Sequence, residues 1–337
     1  MRLITRHFFH DFFRCSLLLI PLAIAFLAIP WQAVAQPPAD QADTVSSTIQ
    51  QQIEAGNWDA AAKLVKSRLD AIELANDEAA KWAIVLSKLQ VEILLRSPVA
   101  DEAPLIETAA EPVERILTAY PDHRFQAWLR FQRIAIETAV ARRRGLAIQA
   151  APGDDTQRLS ALASLIKTAG GLSDLQGEVV DAISQGFSQD VPAARIDQLM
   201  SLRNAIATER VGVLLSRGEL FPPGSDDFLA AAEEANRAAI EALAMVRDDA
   251  AVQADLVTMR CDALLRMGQP DEAARQLAPL LAAAKTAENP APALGDATRA
   301  MAVRIAIELD QLGAAQRWLD AHYGDQPQHA PPAPQSD

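Results

Sequence analysis

Apolar positions recur at helical intervals along most of the chain, while alternation with a period of two is almost absent. In the segment opening at Asp122, Phe125, Trp128, Leu129, Gln132, Ile136 and Val140 share one stripe of a 3.6-residue helix. Ala61, Leu64, Val65, Leu69 and Ile72 repeat that spacing. So do Leu229, Ala232, Ala239, Ile240 and Leu243 behind Ser225, a good N-cap with Asp226 and Asp227 in the first turn. Ala315, Trp318, Leu319 and His322 form a last stripe before Gly324, a plausible helix-terminating residue. With alanine, the best helix former, abundant throughout, the pattern predicts an all-α fold.

Short turns between the stripes force neighbouring helices to run antiparallel. Gly56-Asn57 makes one such turn. Gly268-Gln269-Pro270 makes another, with Pro270 suited to the first helical position and Asp271 and Glu272 following where acids favour the helix dipole. Less regular are 150–156, Gly170-Gly171 and 217–224, the last containing Leu220-Phe221-Pro222-Pro223-Gly224. A helical domain is therefore expected over 47–324, and any subdivision of it near 217–225. Residues 36–46 read as a flexible linker and 325–337, with Pro327, Pro331, Pro332 and Pro334, as a disordered tail.

The N-terminal segment reads as a signal peptide. Arg2, Arg6 and Arg14 precede an uncharged run from Cys15 to Trp31, and Ala33-Val34-Ala35 supplies the small-x-small pattern of a cleavage site before Gln36. The run is shorter than the ~20 residues that span a bilayer and is interrupted by Pro21 and Pro30, so cleavage of 1–35 is expected over retention as an anchoring helix. The expected destination is the periplasm or cell envelope, with no stable membrane span after cleavage. No cysteine follows the apolar run closely, which argues against a lipid anchor.

Charge and cysteine content narrow the function further. The formal net charge is −13, and loss of 1–35 would leave 28 basic against 43 acidic residues. Such a surface works against binding of nucleic acid or anionic lipid. The basic cluster Arg130, Arg133 and Arg142-Arg143-Arg144 is interleaved with core-type residues and is expected to end a helix, where cations complement the dipole. Cys261 would have no intrachain partner once Cys15 is removed, and its apolar neighbours Leu264 and Leu265 mark it as a small buried hydrophobe.

Catalytic motifs are not found. His123, His322 and His329 do not share metal-ligand spacing on one helix, and no cofactor or metal site is expected. Gly171-Leu172-Ser173-Asp174-Leu175 begins like a nucleophile elbow but lacks the closing glycine and a preceding strand. The acidic pairs Asp154-Asp155, Asp226-Asp227 and Asp248-Asp249 supply too few oxygens for calcium and read as helix caps. Trp58, Trp82, Trp128 and Trp318 fit as core anchors.

At its turns the chain resembles the tetratricopeptide repeat family. That family places a small residue late in helix A, an alanine five positions on and a large apolar residue four further. Here these read Gly56, Ala61, Val65; Gly268, Ala273, Leu277; and Asp310, Ala315, Leu319, with Ala109, Val113, Ile116 and Pro121 as a partial fourth match. The resemblance implies antiparallel helical pairs stacked as an α-solenoid, whose concave face binds a peptide or partner protein rather than catalysing a reaction. The expected function is thus a non-enzymatic exported scaffold. The alternatives are a helical enzyme or enzyme subunit whose site is assembled from distant residues, and a helical bundle holding a small apolar ligand.

Overall fold

The computed structural model describes residues 39–97, 103–150, 155–188, 192–246, 249–286 and 295–323. The expected signal peptide, the cleavage site, His329, Gly324 and the C-terminal tail lie outside them. Among the described residues there are twelve α-helices and no strand, so the fold is all-α. The chain divides into two compact units at Leu202/Arg203, inside a helix, rather than at the 217–225 turn.

The first unit holds α1 (Ala39–Glu54), α2 (Trp58–Asp70), α3 (Asp77–Arg96), α4 (Ala103–Ala119), α5 (Gln126–Ala150), α6 (Asp155–Ser188) and the start of α7 (Ala193–Gly218). The second holds the rest of α7, then α8 (Asp226–Met245), α9 (Ala250–Arg266), α10 (Pro270–Thr286), α11 (Asp296–Glu308) and α12 (Leu312–Tyr323). Within each unit most neighbours in sequence are neighbours in space. In the first unit α1 packs on α2, α2 on α3, α3 on α4, α4 on α5 and α5 on α6, and α3 also touches α5. In the second, α9 touches α8, α10 and α11. This next-neighbour order is the packing of an α-solenoid within each unit.

The turns explain the order. Gly56, Gly268 and Asp310 adopt left-handed φ of 74°, 72° and 57° just beyond the ends of α1, α9 and α11. Each closes the same hydrogen-bond circuit. The left-handed residue's amide donates three residues back, Gly56 to Ile53, Gly268 to Leu265 and Asp310 to Ile307, each at 3.0 Å. The following amide donates five back, Asn57 to Gln52 at 2.8 Å, Gln269 to Leu264 at 2.9 Å and Gln311 to Ala306 at 2.7 Å. That is a Schellman closure, which satisfies carbonyls left over at the helix end. The carbonyl of the second turn residue then accepts the amide of Ala61, Ala273 or Ala315 at 3.1 Å, starting the next helix.

This corrects one expectation about the small residues. They sit after helix A, not late within it, and a Cβ added at Gly56 or Gly268 would meet nothing within 4 Å. Their role is backbone conformation, not space for a helix crossing. Space is the role of the alanines: Ala61 and Ala273 are fully buried and Ala315 nearly so, with Val65 and Leu277 buried one turn on and Leu319 half-buried. Ala109, Val113 and Ile116 are likewise buried, on α4.

Other expectations shift for identifiable reasons. Ala39 to Ser46 are helical in α1 rather than linker, because Ala39, Gln41 and Ala42 favour helix and Asp40 and Asp43 suit its N-terminal end. Gly170-Gly171 does not break the chain but lies inside α6, where a Cβ on Gly171 would stand 3.4 Å from Ile134 of α5. The arginines Arg142 to Arg144 lie in the interior of α5, which the good helix formers Leu146, Ala147, Gln149 and Ala150 extend beyond them. In α8 the buried face is made of Ala231, Ala232, Ala235, Ala238, Ala239 and Ala242, and Ile240 is exposed. An all-alanine face lets α8 lie close to α9, so small size rather than hydrophobic bulk sets which side turns inward. Leu64 is exposed for the same reason, with Ala61 and Ala62 taking the inner side of α2.

Replacing Ala273 by leucine should destabilise the fold by about 1–3 kcal/mol through overpacking between α9 and α10. Chemical denaturation of the variant against the parent chain measures this, and an unchanged midpoint would contradict the burial of Ala273.

Candidate functional site

The expected N-caps position the helices as charge and hydrogen bonding require. The Ser225 hydroxyl accepts the Phe228 amide at 3.3 Å, and Asp249 Oδ1 accepts the Val252 amide at 3.1 Å. Asp226, Asp227 and Asp155 occupy first turns. His123 Nδ1 accepts the Phe125 amide at 3.0 Å, so this histidine shapes the turn into α5. His322 falls on α12, with its side chain outside those described. Among the described residues no group of His, Cys, Asp and Glu is arranged to hold a metal ion.

The basic cluster is bound into helix packing. Arg130 reaches Glu178 of α6 at 3.0 Å, Arg133 reaches Glu114 of α4 at 3.1 Å, and Arg143 donates to the Leu94 carbonyl of α3. Trp82 and Trp128 are buried, Trp128 meeting Phe131 edge-on at 6.0 Å. Trp58 is half-buried and lies under the Arg96 guanidinium, 4.3 Å from the ring centroid, a cation–π contact. Trp318 packs on the α9–α11 core. Gly171, Leu172, Ser173, Asp174 and Leu175 are consecutive residues of an unbroken helix, which excludes the strained elbow of a nucleophile motif.

Cys261 is fully buried, and its thiol donates to the Ala273 carbonyl across the α9–α10 pair at 3.4 Å. Burial pushes the thiol up to about 12, reinforced by Asp262 and Glu272 and only partly opposed by Arg260. A thiolate nucleophile is therefore disfavoured at this position.

Two polar clusters were invisible to motif reading. The first lies on α3, where Ser87, Lys88 and Glu92 are buried. Ser87 accepts from the Gln132 amide of α5 at 3.2 Å, and Glu92 pairs with Arg96. Burial lowers the Lys88 ammonium to about 8 and raises the Glu92 carboxyl, the latter opposed by Arg96. The second lies in the other unit and has Asp262 at its centre. Asp262 Oδ1 accepts from Arg304 of α11 at 2.6 Å and Oδ2 pairs with Arg266 one turn along α9 at 2.6 Å. Arg266 also donates to the Leu215 carbonyl at 2.7 Å and to Glu219 Oε1 at 2.8 Å. It thus caps the C-terminal end of α7. Gly218 makes the room: a Cβ there would stand 3.4 Å from Arg266 Nη1 and from Ala231 Cβ.

Asp262 therefore ties α7, α9 and α11 together. Burial opposes its ionisation, but Arg266 and Arg304, by charge and hydrogen bond, outweigh burial and hold the carboxyl below the usual range. The only sequence signal for this cluster was the Asp262–Arg266 spacing of four beside the apolar Cys261, Leu264 and Leu265. Arg304 and Glu219 are remote in sequence and carried none.

Removing the Asp262 carboxylate with Asp262→Ala should cost about 3 kcal/mol, because the largely buried Arg266 and the half-buried Arg304 lose their shared partner. The folded-state value is depressed, so its stabilisation is present above the unfolded value of about 3.9 and is lost as pH falls through the folded one. Denaturation measured from neutral to strongly acidic pH should show a shallower acid limb in Asp262→Asn than in the parent; coincident limbs would show that Asp262 is not held ionised. Comparison with the models of known protein families and with curated proteins finds no match.

Proposed function

We propose that this chain is an exported, non-enzymatic helical-repeat scaffold of tetratricopeptide-like build that binds a protein or extended peptide in the periplasm or cell envelope. The observation that carries the reading is the recurrence of one turn. Three left-handed closures, each followed after the same interval by a buried alanine, join helices in the way a repeat architecture requires. Export rests on the N-terminal sequence: basic residues, an apolar run and Ala33-Val34-Ala35.

The charge pattern supports the same role. Arg130, Arg133 and Arg217 are engaged by carboxylates of neighbouring helices, and the remaining acidic excess favours solubility and disfavours polyanionic partners.

Expressed with its full N-terminus, the chain should be recovered from the envelope fraction with Gln36 as its first residue. A partner captured there by cross-linking should rebind the separately purified chain, with hydrogen-exchange protection confined to helix faces rather than to one buried point. Turnover of a small substrate by the purified chain, with no rebinding of any captured partner, would contradict the scaffold reading. Retention of residues 1–35 would contradict cleavage.

A further inference from the structure

Helix α6 is apolar on two opposite faces. Its inner face, including Ala161, Leu165, Leu172, Leu175, Val179 and Ile183, is buried, and α6 packs on α5. On the opposite face Leu159, Ile166, Val180 and Phe187 are exposed, Leu159 by 57% and Phe187 by 67%. Intervals of seven place these four, with Ser173 between, on one line along the helix. A second line beside it holds only small residues: Ala163, Gly170, Gly177 and Ser184. A line of large apolar side chains left exposed along one helix is the mark of a surface that meets a partner.

The glycines supply independent support. Gly171, facing inward, is explained by Ile134 of α5, 3.4 Å from where its Cβ would be. Gly170 and Gly177 have no such neighbour, since a Cβ at either would meet nothing within 4 Å, and both keep ordinary helical φ. Glycine is the poorest helix former after proline. Nothing among the described residues requires it at these two outward positions, whereas a second helix lying close against them would. Ser184 does not oppose burial, because its hydroxyl donates to the Val180 carbonyl at 3.0 Å within the helix.

The geometry points to α6 as a self-association surface, pairing with α6 of a second copy in antiparallel orientation. The two lines alternate by four and three residues, so reversing one helix sets every large side chain against a small one. Ile166 faces Gly177 of the second copy, Val180 faces Ala163, and Leu159 faces Ser184. Parallel pairing would instead set large against large and glycine against glycine. Charge agrees with the antiparallel choice: Lys167, Asp174 and Asp181 flank the seam on one side, and reversal brings Lys167 of each copy, exposed though it bridges Glu137 of α5 at 2.9 Å, opposite the acids of the other. The same acids, with Asp155, oppose seating of this face on an anionic membrane.

Sedimentation equilibrium of the full chain at micromolar concentration should give twice the monomer mass. Ile166→Glu/Val180→Glu, at exposed sites, should give the monomer mass with unchanged helical circular dichroism and a Tm that no longer depends on protein concentration. Gly170→Leu/Gly177→Leu should raise the thermal stability of α6 while also weakening the dimer, a pair of effects that a purely internal role for these glycines would not produce. Under oxidation, Ile166→Cys/Gly177→Cys should form a covalent dimer and Ile166→Cys alone should not. A monomer at all concentrations, or cross-linking of Ile166→Cys alone, would overturn the proposal; so would retention of the dimer in the double glutamate variant, or binding to anionic vesicles through this face with no self-association.

Discussion

Three helix pairs, α1–α2, α9–α10 and α11–α12, depend on a single local constraint, the left-handed residue that ends one helix and reverses the chain into the next. At Gly56, Gly268 and Asp310 the backbone must enter the region that Cβ-bearing residues avoid, and the carbonyls freed by the ending helix are recovered by two backbone hydrogen bonds. The next carbonyl begins the following helix, so the turn fixes both the exit of one helix and the start of the next. Five residues after the left-handed position an alanine arrives at the interface, and its small size lets the two helices approach. Propensity fills the helices, and at these three joints the turn determines which faces meet.

Polar groups then decide how successive pairs are tied. In the second unit Asp262 is paired with two arginines from different turns of structure, and Arg266 carries the tie on to the end of α7. Arg260 spans from Asn236 of α8 to Gln276 of α10, and the Thr258 and Thr298 hydroxyls meet at 3.0 Å between α9 and α11. These bonds are directional where the alanine contacts are not. They specify the relative setting of helices whose apolar faces are otherwise small and alike.

Much of this was legible in the sequence because it is local. The stripe Phe125, Trp128, Leu129, Gln132, Ile136 and Val140 is buried throughout, and Ser225, Pro270 and Asp249 act at helix starts as their chemistry dictates. What escaped was nonlocal or depended on size. Hydrophobic strength alone turns Ile240 of α8 inward, but smallness decides which face is buried; glycine's helix cost alone makes Gly170-Gly171 a turn, but packing of Gly171 on Ile134 keeps it within a helix. Polar clusters fared worst. Lys88 and Glu92 sit among apolar residues of α3 and carry no motif, and Arg304 meets Asp262 only through the fold. Chemistry that needs residues from three helices leaves no spacing to read.

The turns at Gly268 and Asp310 share one left-handed backbone circuit, and a reciprocal exchange tests their equivalence most directly. Asp310→Gly removes a side chain from a left-handed position and should raise stability by about 0.5 kcal/mol, whereas Gly268→Asp imposes that strain and should lower stability by about 1 kcal/mol. Denaturation of the two single variants would show these opposite signs if the backbone conformations match. A loss of stability in Asp310→Gly, or no loss in Gly268→Asp, would contradict the equivalence on which the repeat reading stands.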